Sequence, residues 1–390
     1  MTNELKNVPE LRFPEFDGEW EEKNLEEVSN KVTEKNRSNE LSETFTNSAE
    51  YGIISQQDYF DKAISNEKNL SNYYIVKKDD FVYNPRISNF APVGPIKRNK
   101  LNRSGLMSPL YYVFRTFNIN MDYIGTYFET IYWHKFMKLN GDSGARSDRF
   151  AIKDSVFQTM PIPYPIIEEQ QKIGEFFSKL DRQIELEEQK LEKLEEQKKG
   201  YMQKIFSQEL RFKDESGNEY PEWEEKKLFD VVKYLSSKRS SNYYSEDIIH
   251  GQYPVYDAVQ EISRDTNFDI EESYISILKD GAGVGRLNLR PGKSSVIGTM
   301  GYLLPQNIDI KFLFYYLKTM NFNRFVIGST IPHLYFKDYS KETILIPIDK
   351  SEQIKIGSFF IKLDRIINNK AKKIKVLKQR KQGFLQKMFV

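Results

Sequence analysis

The sequence predicts an α+β protein: two mixed α/β domains joined by two long helices that pair as an antiparallel coiled coil, the whole a pseudo-twofold tandem duplication. Three observations predict it. A 37-residue stretch at 170–206 returns at 353–389 with a constant shift of 183, matching Gln170 to Gln353, Gly174 to Gly357, Lys179-Leu180-Asp181-Arg182 to Lys362-Leu363-Asp364-Arg365, Gly200 to Gly383 and Gln203-Lys204 to Gln386-Lys387. A shorter opening motif also recurs: Glu10-Leu11-Arg12-Phe13 with Trp20-Glu21-Glu22-Lys23 returns as Glu209-Leu210-Arg211-Phe212 with Trp223-Glu224-Glu225-Lys226. The stretches between, roughly 26–150 and 229–335, match far less and mix short apolar runs with amphipathic segments.

In chain order, the opening motif leads into a first insert. There Tyr73-Tyr74-Ile75-Val76 and Leu110-Tyr111-Tyr112-Val113-Phe114 read as strands, since β-branched and aromatic residues are bounded by turn formers. Apolar residues at helical spacing predict an amphipathic helix over 122–139, followed by the turn Gly141-Asp142-Ser143-Gly144-Ala145-Arg146. Ile152-Lys153-Asp154 and Ile162-Pro163 close the insert. The second insert repeats the plan with a strand at Tyr274-Ile275-Ser276-Ile277-Leu278, a helix over 310–326, the turn Gly328-Ser329-Thr330, and the exit Phe336-Lys337-Asp338 and Ile346-Pro347. The expected segments are a first domain at 1–165, a long helix at 166–207, a second domain at 208–350 and a second long helix at 351–390.

Both long stretches lack proline and carry an apolar seam spaced alternately four and three apart. In the first it runs Ile173, Phe177, Leu180, Ile184, Leu191, Leu194, Tyr201, Ile205; in the second Ile356, Phe360, Leu363, Ile367, Ile374, Leu377, Phe384, Met388. A mean period of about 3.5 is what paired helices need, and each would run roughly 50 Å at 1.5 Å per residue. Charged residues interrupt the seam at matching places, Glu187 against Lys370 and Lys198 against Lys381. Such interruptions weaken a coiled coil and fix its register. Two seams in one chain most simply satisfy each other.

Composition bounds the function. With 390 residues the chain is too long for one core. No apolar run approaches a membrane span, and the first residues lack the apolar core of a signal peptide. Cysteine is absent, which removes disulfides, thiol nucleophiles and thiolate metal sites and fits the cytoplasm. A formal net charge of only +2 means that polyanion binding must come from local patches.

Two such patches stand out. No acid lies between Asp80 and Asp122, where Arg86, Lys97, Arg98, Lys100, Arg103 and Arg115 fall; none lies between Gly281 and Ile308, where Arg286, Arg290 and Lys293 fall. Lys238, Arg239 and Tyr243 form a further basic and aromatic cluster, and Lys279 precedes the glycine-rich stretch. Basic side chains mixed with Asn and Ser suit phosphate contact and base-edge reading. In the aligned turns, the first of which carries Ser143, Arg149 falls opposite His333 and Arg146 opposite Thr330. Different polar residues at one framework position are what two readers of different bases would show.

Catalytic constellations fail in turn. The histidines His134, His250 and His333 are scattered, and Gly292-Lys293-Ser294 lacks the glycine a phosphate-binding loop requires five residues earlier, where Leu287 stands. Asn84-Pro85-Arg86 departs from the Asn-Pro-Pro-aromatic motif of amino-methyltransferases. Glu15 with Glu21-Glu22-Lys23, and Glu222 with Glu224-Glu225-Lys226, crowd too closely for a nuclease core. No catalytic residue and no metal site is assigned.

The order of opening motif, insert, Ile-Pro exit and long helix, twice over, resembles the specificity subunit of type I restriction-modification systems; the most specific segments are IGEFFSKLDR and IGSFFIKLDR, each after a Glu-Gln pair. The resemblance covers essentially the whole chain. It implies that each insert is a target-recognition domain reading one half of a bipartite double-stranded DNA site. The helix pair would set the spacer and dock two methyltransferase subunits, to which restriction subunits add. It implies no cofactor in this chain: S-adenosylmethionine would belong to the methyltransferase, ATP and Mg to the nuclease-translocase. A duplicated coiled-coil scaffold without direct DNA reading, and a nuclease, are the alternatives.

Overall fold

A computed structural model describes residues 7–59, 67–142, 148–244 and 251–390, with only the backbone at 59, 67–69, 241 and 243. The chain clusters into two compact units, 1–187 with 373–390, and 188–372. Each unit therefore takes a part of both long helices, Ile167–Phe206 and Lys350–Lys387.

In the first unit the opening strand Glu21–Asn24 pairs antiparallel with the exit strand Pro161–Tyr164, Lys23 opposite Ile162. A four-stranded antiparallel sheet follows in the order Ser29–Lys31, Tyr112–Thr116, Phe81–Tyr83, Ile96–Arg98. In the second unit the strand Trp223–Lys227 pairs with Thr343–Pro347, and the sheet order is Val232–Ser236, Met300–Pro305, Tyr274–Leu278, Leu287–Arg290. The two plans are the same. The inserts diverge in what they add: hairpin Phe45–Ser48 with Gly52–Ser55 in the first, a three-stranded sheet built on Tyr253–Tyr256 in the second.

The repeated frame residues explain themselves in one buried clamp. Glu169 is fully buried, receives both Nε and Nη2 of Arg12 at 2.7 Å, and accepts the Trp20 indole N–H at 3.1 Å. Glu352 repeats it with Arg211 at 3.2 and 2.9 Å and Trp223 at 3.1 Å. A buried carboxylate needs such pairing, so the opening motif and the Glu-Gln at the start of each long helix are linked. The following glutamines tie in a third element: Gln170 accepts from Asn120 N–H at 2.9 Å and Gln353 from Asp309 N–H at 2.7 Å. Asn120 and Asp309 in turn cap helices Met121–Tyr127 and Ile310–Thr319.

These helices are shorter than their sequence period predicts. Over 122–139 the structure has two, Met121–Tyr127 and Tyr132–Asn140. Thr130 Oγ1 donates to the Tyr127 carbonyl at 2.7 Å and accepts from Tyr132 N–H, taking bonds that a continuous helix would make. Over 310–326 the helix stops at Thr319; Asn321 caps a short turn, Phe322–Phe325, and Val326–Ile327 is strand.

The long helices pack as an antiparallel coiled-coil pair. In the first unit Phe176 meets Phe384 with ring centroids 5.0 Å apart, Phe177 meets Phe389 at 6.1 Å, and Glu187 accepts from Lys373 at 3.1 Å. In the second, Tyr201 meets Phe359 at 5.3 Å and Phe206 stacks on Phe360 at 5.8 Å. Ile173, Phe177, Ile184, Ile205, Ile356, Phe360, Ile374, Leu377 and Met388 are buried; Leu180, Leu191, Leu194, Leu363, Ile367 and Phe384 are half-buried. Tyr201 alone of the seam is 39% exposed. Two of the lysines that interrupt the seam answer the Lys-Leu-Asp-Arg aspartates: Lys381 with Asp181 and Lys198 with Asp364, both at 2.5 Å. The seam is therefore closed at those points by ion pairs.

Candidate nucleic-acid interface

The sheets hold two loops of each insert together by one short backbone bridge. In the first unit Ile87 N–H donates to the Asp148 carbonyl at 3.0 Å and Phe150 N–H to the Pro85 carbonyl at 2.7 Å, placing Arg86 opposite Arg149. In the second, Gly281 N–H donates to Pro332 at 2.9 Å and Leu334 N–H to Lys279 at 2.8 Å, placing Asp280 opposite His333. The register is the same in both units. Since the hydrogen bonds flank each pair rather than joining it, these are the antiparallel positions whose side chains lie closest and on one face.

Beyond the bridge the loops differ. In the first unit Ser88 and Ala91 exchange backbone hydrogen bonds at 3.1 Å, turning a hairpin whose tip carries Phe90, 81% exposed. A cleft beside it is lined by Gln56, Tyr73, Arg86, Ser108, Tyr111 and Arg149. In the second unit Gly281, Gly283 and Gly285 all take left-handed φ, between 82° and 96°, which explains the glycine-rich stretch and leaves Arg286 exposed. Asp280 accepts from Lys279 Nζ at 2.5 Å and shares a hydrogen bond of 2.8 Å with His333 Nδ1. Desolvation works to raise the Asp280 carboxyl, but those two partners outweigh it and hold it below the usual carboxylate range. The His333 ring stacks with Tyr335 at 6.2 Å.

Several basic residues expected at the interface are committed elsewhere. Arg98 is half-buried and pairs with Asp122 at 2.7 Å and Asp79 at 3.6 Å. Arg103 makes two 2.8 Å bonds to Glu43. Arg239 binds Asp265, Asp269 and Tyr244; Arg290 is buried, donates to the Asp257 carbonyl at 2.7 Å and lies 4.2 Å over the Tyr256 ring. Lys97 is half-buried, and desolvation lowers its ammonium pKa against the pull of Glu129. The physical reason is common to all: the fold brings carboxylates, carbonyls and rings from other elements to basic residues that have few acids near them in sequence.

Lys100, Lys238 and Lys293 remain exposed, Lys293 within 3.5 Å of Glu271. Ser143 and Arg146, with His250, lie outside the described residues, as does the side chain of Tyr243. The structure thus brings together Arg86 with Arg149, and Lys279 with Asp280 and His333. Phe90 and Asp280 were missed by a search for basic clusters; aligning the strand before each loop with the repeated exit is the signal that points to them.

The family model for the type I restriction modification DNA specificity domain matches residues 17–196 and 220–379. The type I restriction enzyme MjaVIII specificity subunit of Methanocaldococcus jannaschii is 31% identical over 202 residues, covering 47% of this chain and 46% of that protein. The chain thus spans less than half the length of that relative. The MjaIX specificity subunit of the same organism is 27% identical over 324 residues, covering 75% of this chain and 70% of that protein. The crystal structure of a type I restriction-modification system S subunit from M. genitalium has the same fold, with a TM-score of 0.65 at 15% identity over 98% of this chain and 99% of that one. The matched stretches take in both inserts and most of each long helix, and the chain belongs to the family of type I restriction modification DNA specificity domains.

Proposed function

We propose that this chain is the DNA-reading subunit of a type I restriction-modification complex in which each insert reads one half of a bipartite double-stranded DNA site. The observation that carries the reading is the duplicated frame with divergent inserts: one clamp, one sheet order and one bridge, holding different side chains in each unit. A frame alone would give no reason for that divergence. The coiled-coil pair sets the spacer between half-sites and docks two methyltransferase subunits, with restriction subunits joining that assembly. The chain supplies recognition and no catalysis. S-adenosylmethionine belongs to the methyltransferase, which flips an adenine from each half-site, and ATP with Mg belongs to the nuclease-translocase. Among the described residues no helix is long and apolar enough to cross a membrane; the proposed compartment is the cytoplasm, where the DNA lies.

The test is co-expression with the cognate methyltransferase subunit and mapping of methylated adenines across a genome by single-molecule sequencing. Two short half-sites around a fixed unspecified gap are expected. Methylation at one continuous site, or a stable complex without salt-sensitive DNA binding, would overturn the reading in favour of an assembly scaffold.

A further inference from the structure

At the bridge between the two insert loops both units fix the backbone in the same register and carry different chemistry. In the second unit the facing pair satisfies itself, the Asp280 carboxylate bound by His333 and Lys279. In the first unit the facing pair is two guanidiniums. Like charges directly opposite on a sheet are destabilising, so this pair does not serve the free fold. Arg12, Arg98, Arg103, Arg115 and Arg182 of the same unit each hold a carboxylate. Arg86 and Arg149 hold none among the described residues; Arg86 is exposed and Arg149 half-exposed, at the mouth of the cleft carrying Gln56 and Ser108.

We infer that Arg86 and Arg149 are the guanine-reading pair of the first unit, donating to the O6 and N7 acceptors on the major-groove edge of guanine in its half-site. This rests on the function proposed above. Guanine is the base whose major-groove edge offers two adjacent acceptors to a guanidinium fork. Phosphate would also accept from arginine, but phosphates are the same in both half-sites. A phosphate contact gives no reason for the equivalent position of the second unit to carry Asp280 and His333. The bridge supplies the rigidity that base reading needs, because each arginine sits between backbone hydrogen bonds and the two side chains leave from one face.

The experiment compares the wild-type complex with Arg86→Ala, Arg149→Ala and Arg149→Lys, each co-expressed with the methyltransferase, purified as an assembled complex and read out by its methylated motif. Binding to duplexes carrying 7-deazaguanine at each guanine of the motif is measured alongside. The wild type should require guanine in one half-site, and 7-deazaguanine there should weaken binding roughly tenfold or more. The alanine variants should relax that position while keeping the other half-site intact, and should no longer respond to 7-deazaguanine. Arg149→Lys keeps the charge and loses the fork, so it too should relax the position. A half-site pair without guanine, or variants that lose affinity equally for all sequences with the motif unchanged, would show a phosphate contact or none and overturn the inference while leaving the proposed function standing. No bipartite motif from the wild type would overturn both.

Discussion

Glu169 and Glu352 show how much of a fold can hang on one side chain. Each is buried, forked by an arginine and capped by an indole, so removing its charge strands a partly buried guanidinium. Glu169→Gln should lower unfolding stability by about 3–5 kcal/mol in urea titrations. Arg103→Ala, which breaks a solvent-screened pair with side chains 49% and 33% exposed, should leave the urea midpoint nearly unchanged. His134 gives a pH signature: burial first, then Lys138, pushes its pKa down to about 4 from the ordinary 6.5. The unfolded chain takes that proton first, so this contribution is complete above pH 6.5 and is lost as pH falls toward about 4. His134→Gln should flatten the stability profile across that window in denaturation at stepped pH. At this scale the sequence was legible where residues repeat, as in Arg12, Trp20 and Glu169. It was not legible for the basic residues, because charge partners such as Glu43 for Arg103 and Asp265 for Arg239 arrive from other elements and leave no local trace.

Among elements, the repeated glycines of the long helices are of two kinds. A Cβ on Gly174 would lie 2.8 Å from Asn120 Oδ1 and 3.0 Å from Tyr123 N, and one on Gly357 would lie 2.7 Å from Phe312 N. These glycines let each long helix seat against the capped start of the insert helix. Gly200 and Gly383 meet nothing within 4 Å. Gly174→Ala should therefore destabilise by about 1–3 kcal/mol, whereas Gly200→Ala should stabilise by up to about 1 kcal/mol through helix propensity; thermal melts of the two variants separate them. The seam itself could be read from apolar spacing, since burial at 3.5-residue intervals is a local pattern. The ends of the insert helices could not, because Thr130 and Asn321 stop them through side-chain hydrogen bonds that apolar periodicity does not encode.

For the whole molecule, the two long helices differ in charge as well as in order. Lys350–Lys387 carries twelve Lys and Arg against Glu352 and Asp364, while Ile167–Phe206 carries eight against ten acids. Opposite net charge favours pairing one with the other over pairing either with its like. If the pair sets the spacer, deleting seven facing residues from each helix shortens it by about 10 Å at 1.5 Å per residue, equal to about three base pairs at roughly 34 Å per ten. Methylome mapping of that variant should return both half-sites unchanged around a gap shorter by about three. The duplication was the part of the molecule most open to sequence, since it is written as identity at a fixed shift. The bridge was half open: the match of Arg149 to His333 could be aligned, but Asp280 and Arg86 meet them only through folding. The clamp that joins each opening motif to its long helix also has a hereditary side. Because both copies border their inserts with the same clamp of Arg, Trp and Glu, genetic exchange between those borders would replace an entire insert in one event, and under the proposed function a lineage would acquire a new half-site without re-evolving the frame that holds it.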